Sequence, residues 1–365
     1  MKKYHSFIIC FLCFSIFCFG QNNPNSLEDK SILTIKGKRI TFEHLDTFIT
    51  KQMDSLNIPG LSFAMINNGA IAYAKNYGVK NIDTKEKVDE NTIFEVCSVS
   101  KPVFAYFILK QANKRKIDLD KPLYQYYTDP KIDTSNDYYK LVTARMVLNH
   151  CSGFPNWRKD EDESNTLYFV NKPGEKYGYS GEGYQYLARV LGKILHKTDL
   201  ELNDYFQKEV VQPFRAKSMN FTWNNSLQQL KAYSHKNGKP TDNSSQGPAD
   251  WFGAAGSLHC TAKDYAKFLL SVMDSKNKVG KQLLSLNTTL PKEPDSLYRS
   301  FGFPYKMTNG KIRYYHTGNN SDTRSYTHFY LKEKFGIVML SNCDNFFSSK
   351  FVHKLFEYLE EEMMY

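Results

Sequence analysis

Strand-like segments stand near both ends of this chain with helix-like segments between them, and that placement limits the fold more than any other feature. Leu61 to Ile66 and Ala70 to Tyr77 are short apolar runs on either side of Asn67-Asn68-Gly69, the turn chemistry of a β-hairpin. Far downstream, Ser325 to Leu331 and Gly336 to Ser341 flank Lys332-Glu333-Lys334 in the same manner. A sheet built from both pairs must carry the residues between them as an insertion. Those residues read as helical from Val103 to Lys110 and onward, from Tyr184 to Leu195 and from Ala262 to Met273, punctuated by Pro122, Pro130, Pro155 and Pro173. Phe42, Leu45, Phe48, Ile49, Met53 and Leu56 keep a helical period ahead of Pro59-Gly60, and Phe351 to Met363 closes the chain as a helix. The expected class is α/β (α+β): an antiparallel sheet flanked by helices, with strands from 60–80 and 300–345 and a mostly helical subdomain over about 110–250. No internal repeat or Gly/Ser-rich linker divides it.

The first twenty residues stand apart. Lys2 and Lys3 precede an apolar run from Phe7 to Phe19, too short to span a bilayer, with Cys18 and Gly20 at the two small-residue positions of a cleavage site. Residues 1–20 are therefore expected to be a signal peptide, 21–40 an N-terminal linker, and 41–365 the folded domain. Lipid attachment at Cys18 is the rival reading, but Phe17 stands where such signals want a small residue. Export to the periplasm or the medium, with no stable transmembrane anchor, is the expectation. Removing the segment takes Cys10, Cys13 and Cys18 with it, leaving Cys97, Cys151, Cys260 and Cys343 without a CxxC spacing. Net charge falls from +10 to +8 once Lys2 and Lys3 are gone. The remaining basic residues, such as Lys110, Lys114, Lys116 and Lys121, are dispersed, so no nucleic acid partner is expected.

The chemistry begins at Ser98-Val99-Ser100-Lys101. At the head of a helix, an i, i+3 spacing sets both side chains on one face, so a neutral lysine amine can take the serine proton. A lone SxxK is weak evidence, because Ser275-Lys276-Asn277-Lys278 matches it too. Order and company add to it. Asn149-His150-Cys151-Ser152-Gly153-Phe154-Pro155 follows, then Pro173-Gly174-Glu175-Lys176-Tyr177-Gly178-Tyr179-Ser180-Gly181, Ala254-Ala255-Gly256-Ser257-Leu258, and His316-Thr317-Gly318.

In this series the chain resembles the superfamily of penicillin-binding proteins and serine β-lactamases, the class C enzymes and their D,D-peptidase and esterase relatives, from about Phe42 to the C-terminal helix. The resemblance implies a β-lactamase/transpeptidase-like fold, Ser98 as nucleophile, Lys101 as its base, and Tyr179 as the phenol of a Tyr-x-Asn motif that passes a proton to the leaving group. It implies that His316, Thr317 and Gly318 form the edge-strand motif facing the nucleophile, with His316 and Thr317 donating to substrate and Gly318 letting substrate backbone approach. The backbone N–H groups of Ser98 and Asn319 would form the oxyanion hole. His150 is given no catalytic role.

Two positions depart from the pattern. Gly181 replaces the amide of Tyr-x-Asn, which leaves Glu182, Gln185 or Asn320 as substitutes, and His316 replaces the commoner lysine. An imidazole is only partly charged near neutral pH, so neutral esters or amides gain over carboxylate-bearing substrates. The expected activity is acyl-enzyme formation on a D-amino-acid peptide, a β-lactam or a small ester, with a small-molecule or peptide partner, cell-wall-derived molecules among the candidates. The alternative is a non-catalytic peptidoglycan- or antibiotic-binding protein that retains the fold. No G-x-S-x-G elbow or HExxH occurs and the nine histidines are scattered, so neither an α/β-hydrolase, a metal nor a cofactor is expected.

Overall fold

The computed structural model describes residues 30–158, 165–241, 250–285, 298–308 and 310–363. The expected signal peptide lies outside them. A seven-stranded, wholly antiparallel sheet forms the centre. Its strands are β1 (Gly60–Asn67), β2 (Ala70–Gly78), β3 (Tyr298–Arg299), β4 (Pro304–Thr308), β5 (Lys311–Asn319), β6 (Arg324–Tyr330) and β7 (Phe335–Ser341). Their order across the sheet is β2-β1-β7-β6-β5-β4-β3. The N-terminal hairpin thus lies beside the C-terminal one, and the chain between them is an excursion, as the sequence pattern requires.

The local reasons are visible in the turns. Asn68 and Gly69 both take positive φ, 51° and 76°, the tight hairpin geometry that such a pair supplies with little strain. Alternation along the strands then divides two cores. Leu61, Phe63 and Met65 of β1 pack with Ile337 and Met339 of β7 against helices α1 (Phe42–Leu56) and the C-terminal Phe351–Tyr358, through Leu45, Ile49, Met53, Leu355 and Phe356. Ala64, Ile66, Val338 and Leu340 face the other way. There they meet helix α2 (Ser100–Asn113), almost wholly buried, and helix α4 (Ala262–Met273). Helix α3 (Gly181–Leu195) belongs to the same core and carries the helical excursion. The Thr41 hydroxyl caps α1 by accepting from the His44 N–H at 3.2 Å.

The stretch expected as a linker contributes structure from residue 30 onward. Ser31–Leu33 and Arg39–Thr41 pair as an antiparallel ribbon, and Ile32 and Ile40 are buried in the core beneath α1. All four cysteines of the domain are free and buried. No helix among the described residues is long and apolar enough to cross a membrane.

Candidate active site

Ser98 sits in a single 3-10 turn, Cys97–Val99, that runs into α2. Cys97, the residue before it, takes a positive φ of 50°, an uncommon conformation for a side chain with a Cβ. The surroundings hold it there. Val96 N–H donates to the Leu258 carbonyl at 2.8 Å, the Ser325 hydroxyl donates to the Val96 carbonyl at 2.6 Å, and the Ser100 hydroxyl donates to the Cys97 carbonyl at 2.6 Å. Burial raises the Cys97 thiol far above its usual range, so it is a packed neutral group. A Cβ on Gly318 of β5 would collide with the Ser325 hydroxyl and stand 2.8 Å from both Cys97 Cβ and the Val96 carbonyl oxygen. The glycine thus lets the turn that carries Ser98 lie against the strand.

Lys101 is 1% exposed, and its Nζ lies 3.3 Å from Ser98 Oγ while donating to the Ala255 carbonyl at 2.6 Å. The Ala254-Ala255-Gly256 stretch therefore supplies the acceptor that aims the amine, a role the sequence did not disclose. The same Nζ stands 4.7 Å from the ring centroid of Tyr179 and 5.7 Å from that of Tyr184. Tyr179 stacks on His150, their centroids 4.3 Å apart, and its buried hydroxyl has no hydrogen-bond partner. His150 in turn accepts at Nδ1 from the Ser180 N–H at 3.1 Å, and burial drives its pKa far down, so it is a neutral platform for the phenol ring.

His316 is buried, and burial together with the positive potential of Lys101 lowers its pKa to about 3. Its Nδ1 is 2.7 Å from the Thr317 carbonyl oxygen, which can only accept, so the ring proton resides on Nδ1 and Nε2 is left as an acceptor. The partial charge and the donor role expected from sequence are absent: the environment holds this imidazole neutral. Strand alternation puts His316 and Gly318 on the side of the nucleophile turn. Thr317 lines an apolar cavity of about 370 Å³ with Tyr326, Phe347 and Phe356, so its backbone carbonyl is what serves His316. Asn319 ends β5 opposite Arg324, and its side chain accepts from the Ser321 N–H at 3.0 Å. Beyond Tyr314 this strand outruns its pairing with β4, which leaves the motif at a local edge.

The three amides and acids that sequence offered as substitutes at Gly181 are engaged elsewhere. Glu182 holds Arg158 through two parallel contacts, Nε to Oε1 at 3.0 Å and Nη2 to Oε2 at 3.1 Å. Gln185 donates to the Phe252 carbonyl at 2.9 Å. Asn320 donates to Glu95, whose carboxylate lies 3.7 Å from the buried Lys231. Burial raises the pKa of Glu95, and Lys231 acts against that rise. Sequence reasoning also missed Arg299, whose guanidinium stands 4.6 Å from the ring centroid of Tyr177 and adds to the positive potential at His150 and His316.

A serine bonded to a buried lysine at the head of a helix, beside an antiparallel sheet with helices on both faces, defines the serine β-lactamase and penicillin-binding class. The family model described as Beta-lactamase matches residues 45–356, and the chain belongs to that family. It is 24% identical to protein flp of Staphylococcus aureus (strain MRSA252) over 341 residues, covering 88% of this chain and 66% of that one. The chain thus spans just under two thirds of the length of these relatives. A beta-lactamase of Pseudomonas fluorescens is 40% identical over 82 residues, 22% of this chain and 23% of the enzyme. Among solved structures, the octameric penicillin-binding protein homologue from Pyrococcus abyssi superposes with a TM-score of 0.71 at 20% identity, covering 88% of this chain and 78% of that one. At that identity the likeness concerns the fold alone.

Proposed function

We propose that this chain is an exported serine hydrolase that forms an acyl-enzyme on an amide or ester carbonyl. The observation that carries the reading is the 3.3 Å contact between Lys101 Nζ and Ser98 Oγ, with the amine held by the Ala255 carbonyl. Lys101 Nζ acts as the base: once it has given up a proton of its own, it takes the Ser98 proton as Oγ bonds to the carbonyl carbon, and the carbonyl electron pair moves onto oxygen. The N–H groups of Ser98 and Asn319, on facing segments, are the donors for that oxyanion, and each such donor contributes about 3 kcal/mol to the barrier reduction. Collapse expels the alcohol or amine, which takes a proton passed from Lys101 through the Tyr179 phenol. Water then adds to the acyl-serine, the carboxylic acid leaves and Ser98 regains its proton. A small molecule or short peptide is the partner, and the export reading rests on residues 1–20.

Three probes test this: a fluorophosphonate, a fluorescent β-lactam and a p-nitrophenyl ester. We expect covalent labelling or turnover of the mature protein by at least one, and a loss of at least about 10³-fold in Ser98→Ala. Identical behaviour of the two proteins toward all three would leave a ligand-binding protein on a hydrolase fold.

A further inference from the structure

The direction in which a side chain at position 181 would project is already occupied. A Cβ built on Gly181 would stand 2.6 Å from Cη2 and Cζ2 of Trp157 and 3.0 Å from Cε2, so the benzo edge of the indole covers the glycine. Two residues around Trp157 fix it there. Asn156 accepts the Gly181 N–H at both its side-chain oxygen and its backbone carbonyl, 3.0 Å each, and that carbonyl also accepts from Glu182 N–H at 3.0 Å. Arg158 grips Glu182 in the nearly buried bidentate pair described above, and its backbone N–H donates to the same carboxylate at 3.2 Å. The first turn of α3 is thereby bound to Asn156 and Arg158, the two neighbours of Trp157 in the chain. Trp157 keeps 49% of its surface exposed, so the indole has a face open to solvent beside Gly181.

We infer that Trp157 is a specificity-determining residue, which replaces an amide grip on substrate by an aromatic platform over Gly181, two residues beyond Tyr179. This rests on the acyl-transfer reading above and names its substrate class: esters whose acyl group presents a flat or apolar face, in preference to peptides and lactams held through an amide carbonyl. An indole offers a broad apolar face in place of a carboxamide NH2, and the NH2 groups of Gln185 and Asn320 already donate to the Phe252 carbonyl and to Glu95, while Glu182 is a carboxylate with no N–H to give. The neutral His316 fits the same substrate, since it offers no charge to a carboxylate.

The test compares p-nitrophenyl acetate, p-nitrophenyl benzoate and a penicillin on the wild type, Trp157→Ala, Gly181→Asn and the double variant. Ser98-dependent labelling or turnover of the wild type by the three probes above is established first, and its failure with all three removes the acyl-transfer reading itself. With labelling intact, Trp157→Ala should lower kcat/KM for the benzoate about tenfold relative to the acetate, because the acetyl group does not reach the platform. Gly181→Asn alone should be impaired toward every substrate by collision with the indole. Trp157→Ala/Gly181→Asn should be acylated by the penicillin at least about tenfold faster than the wild type. An unchanged benzoate-to-acetate ratio in Trp157→Ala overturns the inference, and so does a double variant that labels with fluorophosphonate yet takes penicillin no faster than the wild type.

Discussion

The two walls of the candidate site, the side of Ser98 and the side of Tyr179, are built in opposite ways. On the wall of Ser98 and β5, polar groups have fixed partners: Lys101 on Ala255, Ser100 on Cys97, Ser325 on Val96 and His316 on Thr317. On the wall of Tyr179 and Gly181, a phenol hydroxyl is buried without a partner and an indole lies where an amide would project. The first wall is arranged for reaction before substrate arrives, which is what electrostatic preorganisation requires. The second stacks its phenol on a neutral imidazole and leaves the phenol hydroxyl unpaired, although its backbone is clamped by Asn156 and Arg158. On the proposed function, the part assigned to chemistry and the part assigned to substrate choice stand on separate elements and can diverge separately within one fold.

Replacing the phenol should separate the walls most sharply. Tyr179→Phe removes a hydroxyl with no hydrogen bond to lose, while the ring remains stacked on His150. We expect turnover of a p-nitrophenyl ester to fall by about 10²-fold or more, the range of a lost general acid or base. The melting temperature should hold or rise, because a buried unsatisfied group is removed. A melting temperature several degrees lower, with turnover intact, would assign the hydroxyl to structure.

Gly318→Ala attacks the other wall. The added methyl would meet Cys97 and Val96 and displace the turn that carries Ser98. A shift near 1 Å costs about 10²-fold in rate, and kcat should carry it more than KM. Unchanged kcat for the same ester would show that strand and turn tolerate separation.

How far the sequence foretold each wall follows from the range of the interactions. The hairpin at Asn68-Gly69 and helix α1 depend on neighbouring residues, and both stand where the turn chemistry and the helical period placed them. Ser98 and Lys101 meet because three residues make nearly one helical turn, so their contact too is a local consequence. Trp157 over Gly181 is different. It depends on Asn156 and Arg158 reaching across to the start of α3, and nothing in the spacing of those residues announces it. The same holds for the buried pair Glu95 and Lys231, which the fold brings together from distant parts of the chain. Strand β4 carried no clear apolar alternation and was legible only within the broad range 300–345, while β3, Tyr298–Arg299, falls just before that range. The charge state of His316 was read from its ordinary pKa, and burial reversed it.

That reversal gives the smallest expected change in rate and the finest test of the first wall. His316→Gln keeps an uncharged side chain with an acceptor, so kcat/KM for a neutral ester should stay within about tenfold, with the shape of its pH profile between 5 and 8 retained. The pH dependence of stability should change instead. With a folded pKa of about 3 against an ordinary value of 6.5, the wild-type imidazole takes no proton in the folded state while the unfolded chain does. Stability therefore falls as pH drops from about 6.5 toward 3, by about 2 kcal/mol at pH 5 from this residue alone. His150 and His259 act in the same direction, while Glu361, raised to about 7 by burial, favours the fold as pH falls. Comparing urea unfolding of wild type and His316→Gln at pH 7.5 and pH 5 cancels those shared contributions. The variant should lose about 2 kcal/mol less over that interval. An equal loss would mean that His316 is protonated in the folded state, and the first wall would then present a charge that a carboxylate-bearing substrate could use.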